Sequence, residues 1–451
     1  MALLKRLLPV FMLIALAALL GFAISRQSPS PRRVASTAPV RVASSTPLQV
    51  VLTPLGGDEK IDHEIAKIQA RIKASPDQVP AYLERLGWTF VEKARISSDP
   101  GYYKLAEQCA DAIVQMKPGS PDGELLRGHI YHALHRFKDA ERVARRLTAQ
   151  RTFVFDYALL GDALMEQGRL DEAVVAYQKM VDLKPCLQTY SRVAHMRWLK
   201  GDLPGAIQAI RYAVTGGSII EPEPVAWAYT KLSFYALQSG QTEVALRSTE
   251  LATQYVPDYA AALLMRGRVQ LAKGDIEDAV ATLRRAADKN PLPEYLWTLA
   301  DALRADNKST EAAAVEQKLR STGAANDPRT LSLFPATRDD KSDVALRLAK
   351  EELQTRQDIF THDAVAWAEF AQGHLQSAES DMGMALSQGT KDGRLFYHAG
   401  MMAAAAGKTN QAREYLRQAK GLEDTLMPSE RNALEQKLAL LQPPAAQISS
   451  R

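Results

Sequence analysis

Three histidines, His129, His132 and His135, recur at every third residue. Histidine is a common metal ligand, and a spacing of three puts successive rings on one helix face. The first and third rings are not on a common face, however, and no cysteine or carboxylate at a fixed spacing completes a tetrahedral set. The run therefore reads as polar lining or as surface histidines. Gly407-Lys408-Thr409 resembles the end of a phosphate loop. That loop needs a glycine where Met402 stands and a strand before it, and neither is present. No GxSxG or HExxH motif occurs. Acidic pairs such as Asp171-Glu172 open helices, where a negative charge favours the positive end of the dipole. Asn307-Lys308-Ser309 is a formal glycosylation sequon placed in a turn. Cys109 and Cys186 lie in separate helix pairs and read as small buried residues rather than a disulfide. These readings leave no catalytic, cofactor-binding or metal-binding residue, and the expectation is that the chain is not an enzyme.

What stands out instead is aromatic. The chain has 5 tryptophans, Trp88, Trp198, Trp227, Trp297 and Trp367, among 46% hydrophobic and 24% charged residues. Tryptophan and tyrosine supply large, rigid contact area at low entropic cost. The net charge of +4 is spread along the chain, which is no argument for nucleic acid, since that needs a concentrated basic face.

The elements that would position these rings are helices. In 154–186, Tyr157, Leu160, Gly161 and Leu164 fall at i, i+3, i+4, i+7 and make one apolar stripe. Gly168 ends that helix, a second helix carries Ala173, Tyr177 and Met180, and Pro185 closes the unit. Gly161 and Ala173 let the two helices approach closely. One such pair cannot bury its own apolar faces, so it needs neighbours. Similar units recur from about Pro80 to residue 425. Gly128, Ala194, Gly267, Ala300 and Gly400 occupy the small position of the first helix, and Gly201, Gly240, Gly274, Asn307, Gly373 and Gly407 occupy the turn.

The ends differ. Lys5 and Arg6 precede nineteen uncharged residues, Leu7 to Ser25, so 1–25 reads as a signal peptide or membrane anchor. Residues 26–57, rich in Ser, Pro, Ala, Thr and Val, read as a disordered tether. Leu48 to Leu52 has the makings of a short strand. Residues 58–321 read as a solenoid with a lead-in helix and repeats 1–7, 322–342 as an irregular break, 343–441 as further repeats with a capping helix, and 442–451 as a disordered tail.

A 34-residue period with glycine or alanine at position 8, glycine at 15, alanine at 20 and 27 and proline at 32 resembles the tetratricopeptide repeat. Phrases such as Pro291-Leu292-Pro293-Glu294-Tyr295 and Thr361-His362-Asp363 resemble exported or membrane-anchored bacterial proteins of that family. The resemblance implies an all-α, right-handed α-solenoid of about nine to ten helix pairs with lead-in and capping helices. It also implies a concave face lined by positions 2, 5, 9, 12 and 13 of each first helix.

Carried over, those positions hold Trp88, His129, His132, Asp162, Met165, Glu166, His195, Trp198, Trp227, Phe234, Arg268, Trp297, Asp301, Arg304, Trp367, Phe370 and Tyr397. The expectation is a noncatalytic scaffold that binds a protein or peptide there and takes no small-molecule substrate. It would be tethered to the bacterial cell envelope, with the repeats periplasmic or extracytoplasmic. The alternative is an accessory subunit of a membrane-embedded export or polysaccharide-synthesis complex. Two finer expectations follow. Trp88, Trp198, Trp227 and Trp367 should keep exposed ring surface, and Asp162 and Glu166 should give the face an acidic floor suited to a basic or polar ligand centre.

Overall fold

A computed structural model describes residues 46–441, apart from 98, 219, 221 and 339–342. The signal or anchor segment 1–25, most of the linker and the tail 442–451 therefore lie outside the described residues. From Pro47 the chain forms one compact unit. Among the described residues 23 α-helices begin with α1 (Pro47–Val51) and α2 (Lys60–Ala74) and end with α23 (Pro428–Leu440). The twenty helices between them form ten antiparallel pairs, here repeats 1 to 10: 79–116, 121–150, 154–183, 187–215, 222–255, 260–289, 293–326, 328–353, 359–386 and 393–420. No strand occurs among the described residues.

Repeat 3 shows why the pairs form. A Cβ placed on Gly161 would run into the Tyr177 ring, so the glycine is what lets the two helices close. At the turn, Gly168 takes a left-handed φ of 73°, and the Arg169 N–H reaches back to the Leu164 carbonyl at 3.0 Å, which satisfies a carbonyl at the helix end. Asn307 holds the same left-handed turn in repeat 7, and His135 does so in repeat 2. His135 is thus a turn residue, separated in role from His129 and His132. Cys109 is fully buried, Cys186 is partly exposed, and both are free thiols.

Two stretches differ from expectation. Within 26–57, Pro47–Val51 is a helix rather than tether or strand, with Val51 fully buried. The Gln69 amide donates to the carbonyls of Val51 at 2.7 Å and Thr53 at 3.0 Å, tying this helix down. Within 322–342, α16 (Ser309–Asn326) continues the seventh repeat and α17 (Pro328–Thr337) supplies the first helix of the eighth. The Asn326-Asp327-Pro328 sequence that looks like a loop is a helix start. Asp327 accepts from the Thr330 N–H at 3.1 Å, and Pro328 stands where no N–H is needed. Leu331, Leu333 and Phe334 of α17 are buried, so repeat 8 is a full pair with a short first helix.

Candidate partner-binding face

The first helices of repeats 1 to 6 carry a run of partly exposed polar and aromatic side chains. Trp88 of repeat 1 meets His129 of repeat 2 with ring centroids 5.1 Å apart. Burial holds the His129 imidazole far below its ordinary value, at about 3, reinforced by the nearby His132. His195 in repeat 4 is held at about 3 by the same desolvation, with the Lys231 charge adding to it. Both rings are therefore neutral near pH 7. In repeat 5 the Lys231 ammonium lies 5.4 Å from the Trp227 ring centroid and 5.9 Å from that of Phe234. Burial pushes its pKa down, opposed by the charge of Glu294. Arg268 pairs with Glu294 at 2.9 Å.

The expected acidic floor is neutralised. Asp162 receives Arg192 Nε at 2.8 Å and Nη2 at 2.6 Å, and the Tyr177 hydroxyl at 2.8 Å. Burial pushes the Asp162 carboxyl up, but the Arg192 charge and its hydrogen bonds outweigh that and leave it below the usual carboxylate range. Glu166 is paired too, with Arg356 Nε at 2.7 Å. Neither carboxylate is free to select a cation. Met165, beside them, accepts weakly from the Tyr177 hydroxyl at 3.8 Å.

Glu166 belongs to a second stretch, which repeats 8 to 10 cover. The Gln357 N–H donates to the Glu166 carbonyl at 2.9 Å. Arg356 also lies 5.3 Å from the Phe137 ring centroid, and its Nη2 is 3.3 Å from His135 Nε2. Trp198 is 4% exposed. Phe360 stacks on it at 5.6 Å, Phe234 meets it edge-on at 5.1 Å, and its indole N–H donates to Gln238 at 2.6 Å. Thr390 donates to the Leu199 carbonyl at 2.5 Å, and Lys200 to Gln388 at 2.8 Å. A cavity of about 110 Å³ opens at this seam, lined in part by Met165, His195, Phe360 and His362.

Farther along, Trp297 is 1% exposed. It meets Phe334 edge-on at 5.7 Å, and Arg394 lies 4.9 Å from its ring centroid. Asp301, buried, accepts from Arg338 at 2.5 Å and from the Ser429 hydroxyl at 2.6 Å. Arg304, exposed, pairs with Glu316 at 2.7 Å.

The ring exposure expected for Trp198 and Trp367 is therefore absent, whereas Trp88 and Trp227 keep part of theirs. Trp367 is buried within repeats 8 to 10. It stacks on His398 at 3.9 Å and on Phe370 at 5.2 Å, stands 5.8 Å from Tyr397, and donates to Thr337 at 3.0 Å. His398 in turn pairs with the buried Asp363 at 2.7 Å. Three charged groups at these sites escaped the position rule: Arg192, Lys231 and Arg356. The first two stand at position 6. Positions 2, 6, 9 and 13 form one i, i+4, i+7, i+11 stripe, so helix geometry alone could have found them.

A family model described as tetratricopeptide repeat matches four segments that overlap in two pairs, 125–186 with 158–218 and 235–292 with 264–328. Residues 125–218 and 235–328 are built from tetratricopeptide repeats. Among curated proteins, none matches this repeat chain. Among solved structures it is similar to MamA, at 21% identity over 38% of this chain and 92% of that one, with a TM-score of 0.30. It is similar to human IFIT1, in a dimer with PPP-AAAA, at 14% identity over 72% and 78%, with a TM-score of 0.46. It is also similar to yeast Tom70, at 12% identity over 85% and 92%, with a TM-score of 0.37. Among the described residues no group of three or more His, Cys, Asp or Glu is placed to hold a metal ion, and no helix is long and apolar enough to cross a membrane.

Proposed function

We propose that this tetratricopeptide-repeat chain is a noncatalytic scaffold that binds a protein or peptide on the first helices of repeats 1 to 6. Its repeats would be tethered to the bacterial cell envelope through residues 1–25. One observation carries the binding reading. Trp88, His129, His132, His195, Trp227 and Lys231 keep partial exposure along one run of neighbouring helices, and two of the histidines are held neutral there. Neutral imidazoles offer hydrogen bonds without a fixed charge, while the rings offer area. That mixture suits an extended peptide with alternating apolar and polar side chains. Lys231, set between two aromatic rings, would receive an acidic group of the ligand. The tether reading rests on Lys5 and Arg6 followed by nineteen uncharged residues.

A photocrosslinker at His132, in the full chain expressed in its own cell, tests the binding reading. Capture of one protein, lost on Trp227→Ala or Lys231→Ala, is the expected result. Equal capture from a crosslinker at the outward-facing Val175, 65% exposed, would contradict it.

A further inference from the structure

The cavity of about 110 Å³ collects four soft donors. Met165 of repeat 3, His195 of repeat 4, and His362 and Met384 of repeat 9 all line it. None belongs to the run of His129, His132 and His135. His362 Nδ1 lies 2.8 Å from the Asp381 carboxylate. A carboxylate only accepts, so the proton sits on Nδ1 and Nε2 keeps its lone pair. A carboxylate behind the ring is the usual support of a metal-binding imidazole. Met384 follows Asp381 by one turn of the helix Leu375–Leu386, which sets it beside His362. The His195 ring neighbours Trp198 at 5.5 Å and makes no hydrogen bond among the described residues. The Met165 sulfur has only its weak contact with the Tyr177 hydroxyl.

The charges around the cavity are already matched. Glu166 pairs with Arg356 at 2.7 Å, and Asp358 pairs with Arg329 at 2.9 Å. Hard divalent cations need several oxygen donors, and these two carboxylates are engaged elsewhere. What remains is two imidazoles and two thioethers, uncharged and polarisable, a set that selects a soft ion of low charge. Leu170, Leu199, Ile359 and Phe360 make the rest of the wall largely apolar. The space is larger than a bare ion. The two methionines, unbranched and turning about three bonds each, are the donors able to close on it. Met384 is 53% exposed and stands at the way in.

We propose that Met165, His195, His362 and Met384 form a binding site for a soft monovalent metal ion, copper(I) in the cell. Two of its four donors are thioethers, so the site needs no third histidine, cysteine or carboxylate. The ion enters a space that is already there, and no segment of the chain leaves. It ties repeat 9 to repeats 3 and 4, so binding stabilises the folded array. The proposal goes beyond the peptide-binding reading and does not depend on it.

Silver(I), which shares the charge and softness of copper(I) without its redox chemistry, is the probe. It is titrated calorimetrically into the full chain in chloride-free buffer. A Cys186→Ser background removes the partly exposed thiol, while Cys109 is fully buried. The expected result is one ion per chain and a raised unfolding temperature. Met165→Leu and Met384→Leu keep side-chain volume and should each weaken binding about tenfold or more, as should His362→Gln. Asp381→Asn, which loosens the ring behind the ligand, should weaken it roughly tenfold. His374→Gln and Met116→Leu, exposed and outside the cavity, should change nothing. In methyl-labelled protein the Met165 and Met384 methyl resonances should shift as silver is added, a readout that needs no variant. Undiminished binding by the two leucine variants, or unmoved Met165 and Met384 resonances, would overturn the proposal. So would zinc(II) binding as tightly as silver(I), because the thioethers would then have no part. If silver fails while crosslinking at His132 still captures a partner, this inference falls and the binding reading stands.

Discussion

The open first helices of repeats 1, 2 and 5 and the seam present similar residues in different circumstances. Trp88 and Trp227 lie on first helices beside solvent, with a histidine and a lysine as their neighbours. Trp198 and Trp297 occupy equivalent helices but are covered by Phe360, Phe334 and Arg394 from repeats 8 to 10. Position within a repeat decides which way a side chain points. What lies over it is decided by the winding of the array, through contacts between residues more than a hundred positions apart.

The contrast should be largest in stability. Trp198→Ala or Trp297→Ala removes a buried ring, at a cost of about 3–5 kcal/mol. Trp88→Ala and Trp227→Ala should cost roughly a third of that, because part of each ring already meets water. Urea unfolding midpoints would show this, and equal shifts at all four sites would erase the distinction between covered and open stretches.

Next come the turn glycines. Left-handed alanine costs about 1–2 kcal/mol wherever it occurs, so Gly240→Ala and Gly274→Ala measure strain alone. Gly168→Ala and Gly201→Ala should lose about 1–3 kcal/mol more, because the added methyl meets a carbonyl oxygen that must move. The difference between the two pairs isolates the seam.

The smallest effect concerns pH. His129 and His195 have folded values near 3 against an ordinary 6.5. As pH falls, the unfolded chain takes up these protons first, so the stability contributed by the neutral rings is complete above about 6.5 and is lost between 6.5 and 3. At the seam, burial pushes the Asp358 carboxyl up, but Arg329 and Arg356 outweigh this and hold it below its usual 3.8. Its contribution survives until the pH drops beneath that value. Mild acid should therefore loosen the open stretch before it reaches Asp358. Hydrogen exchange at pH 5 should rise in repeats 2 and 4 first, and His129→Gln with His195→Gln should flatten that response.

Much of this was legible in the sequence, for local reasons. Gly161, Ala173 and Gly168 fix a helix pair through contacts within about twenty residues, so the repeats could be read in phase. The eighth repeat was harder, because Asp327-Pro328 serves equally as a loop signal and as a helix start. The short helix at Pro47 was hidden for another reason. It is held by Gln69 and by packing against α4 (Gly101–Met116), not by its own pattern. On the candidate face, the helix positions were readable and the pairings were not. Glu166 finds Arg356 190 positions away, and no periodicity within one repeat announces that contact.

Acrylamide quenching of tryptophan fluorescence tests the division between open and covered stretches most directly. In the full chain, Trp88→Phe and Trp227→Phe should each remove a substantial share of the quenchable emission, while Trp198→Phe, Trp297→Phe and Trp367→Phe should leave that share intact. If Trp198→Phe abolished most of the quenching instead, the seam would be open in solution and the division of this face would be wrong.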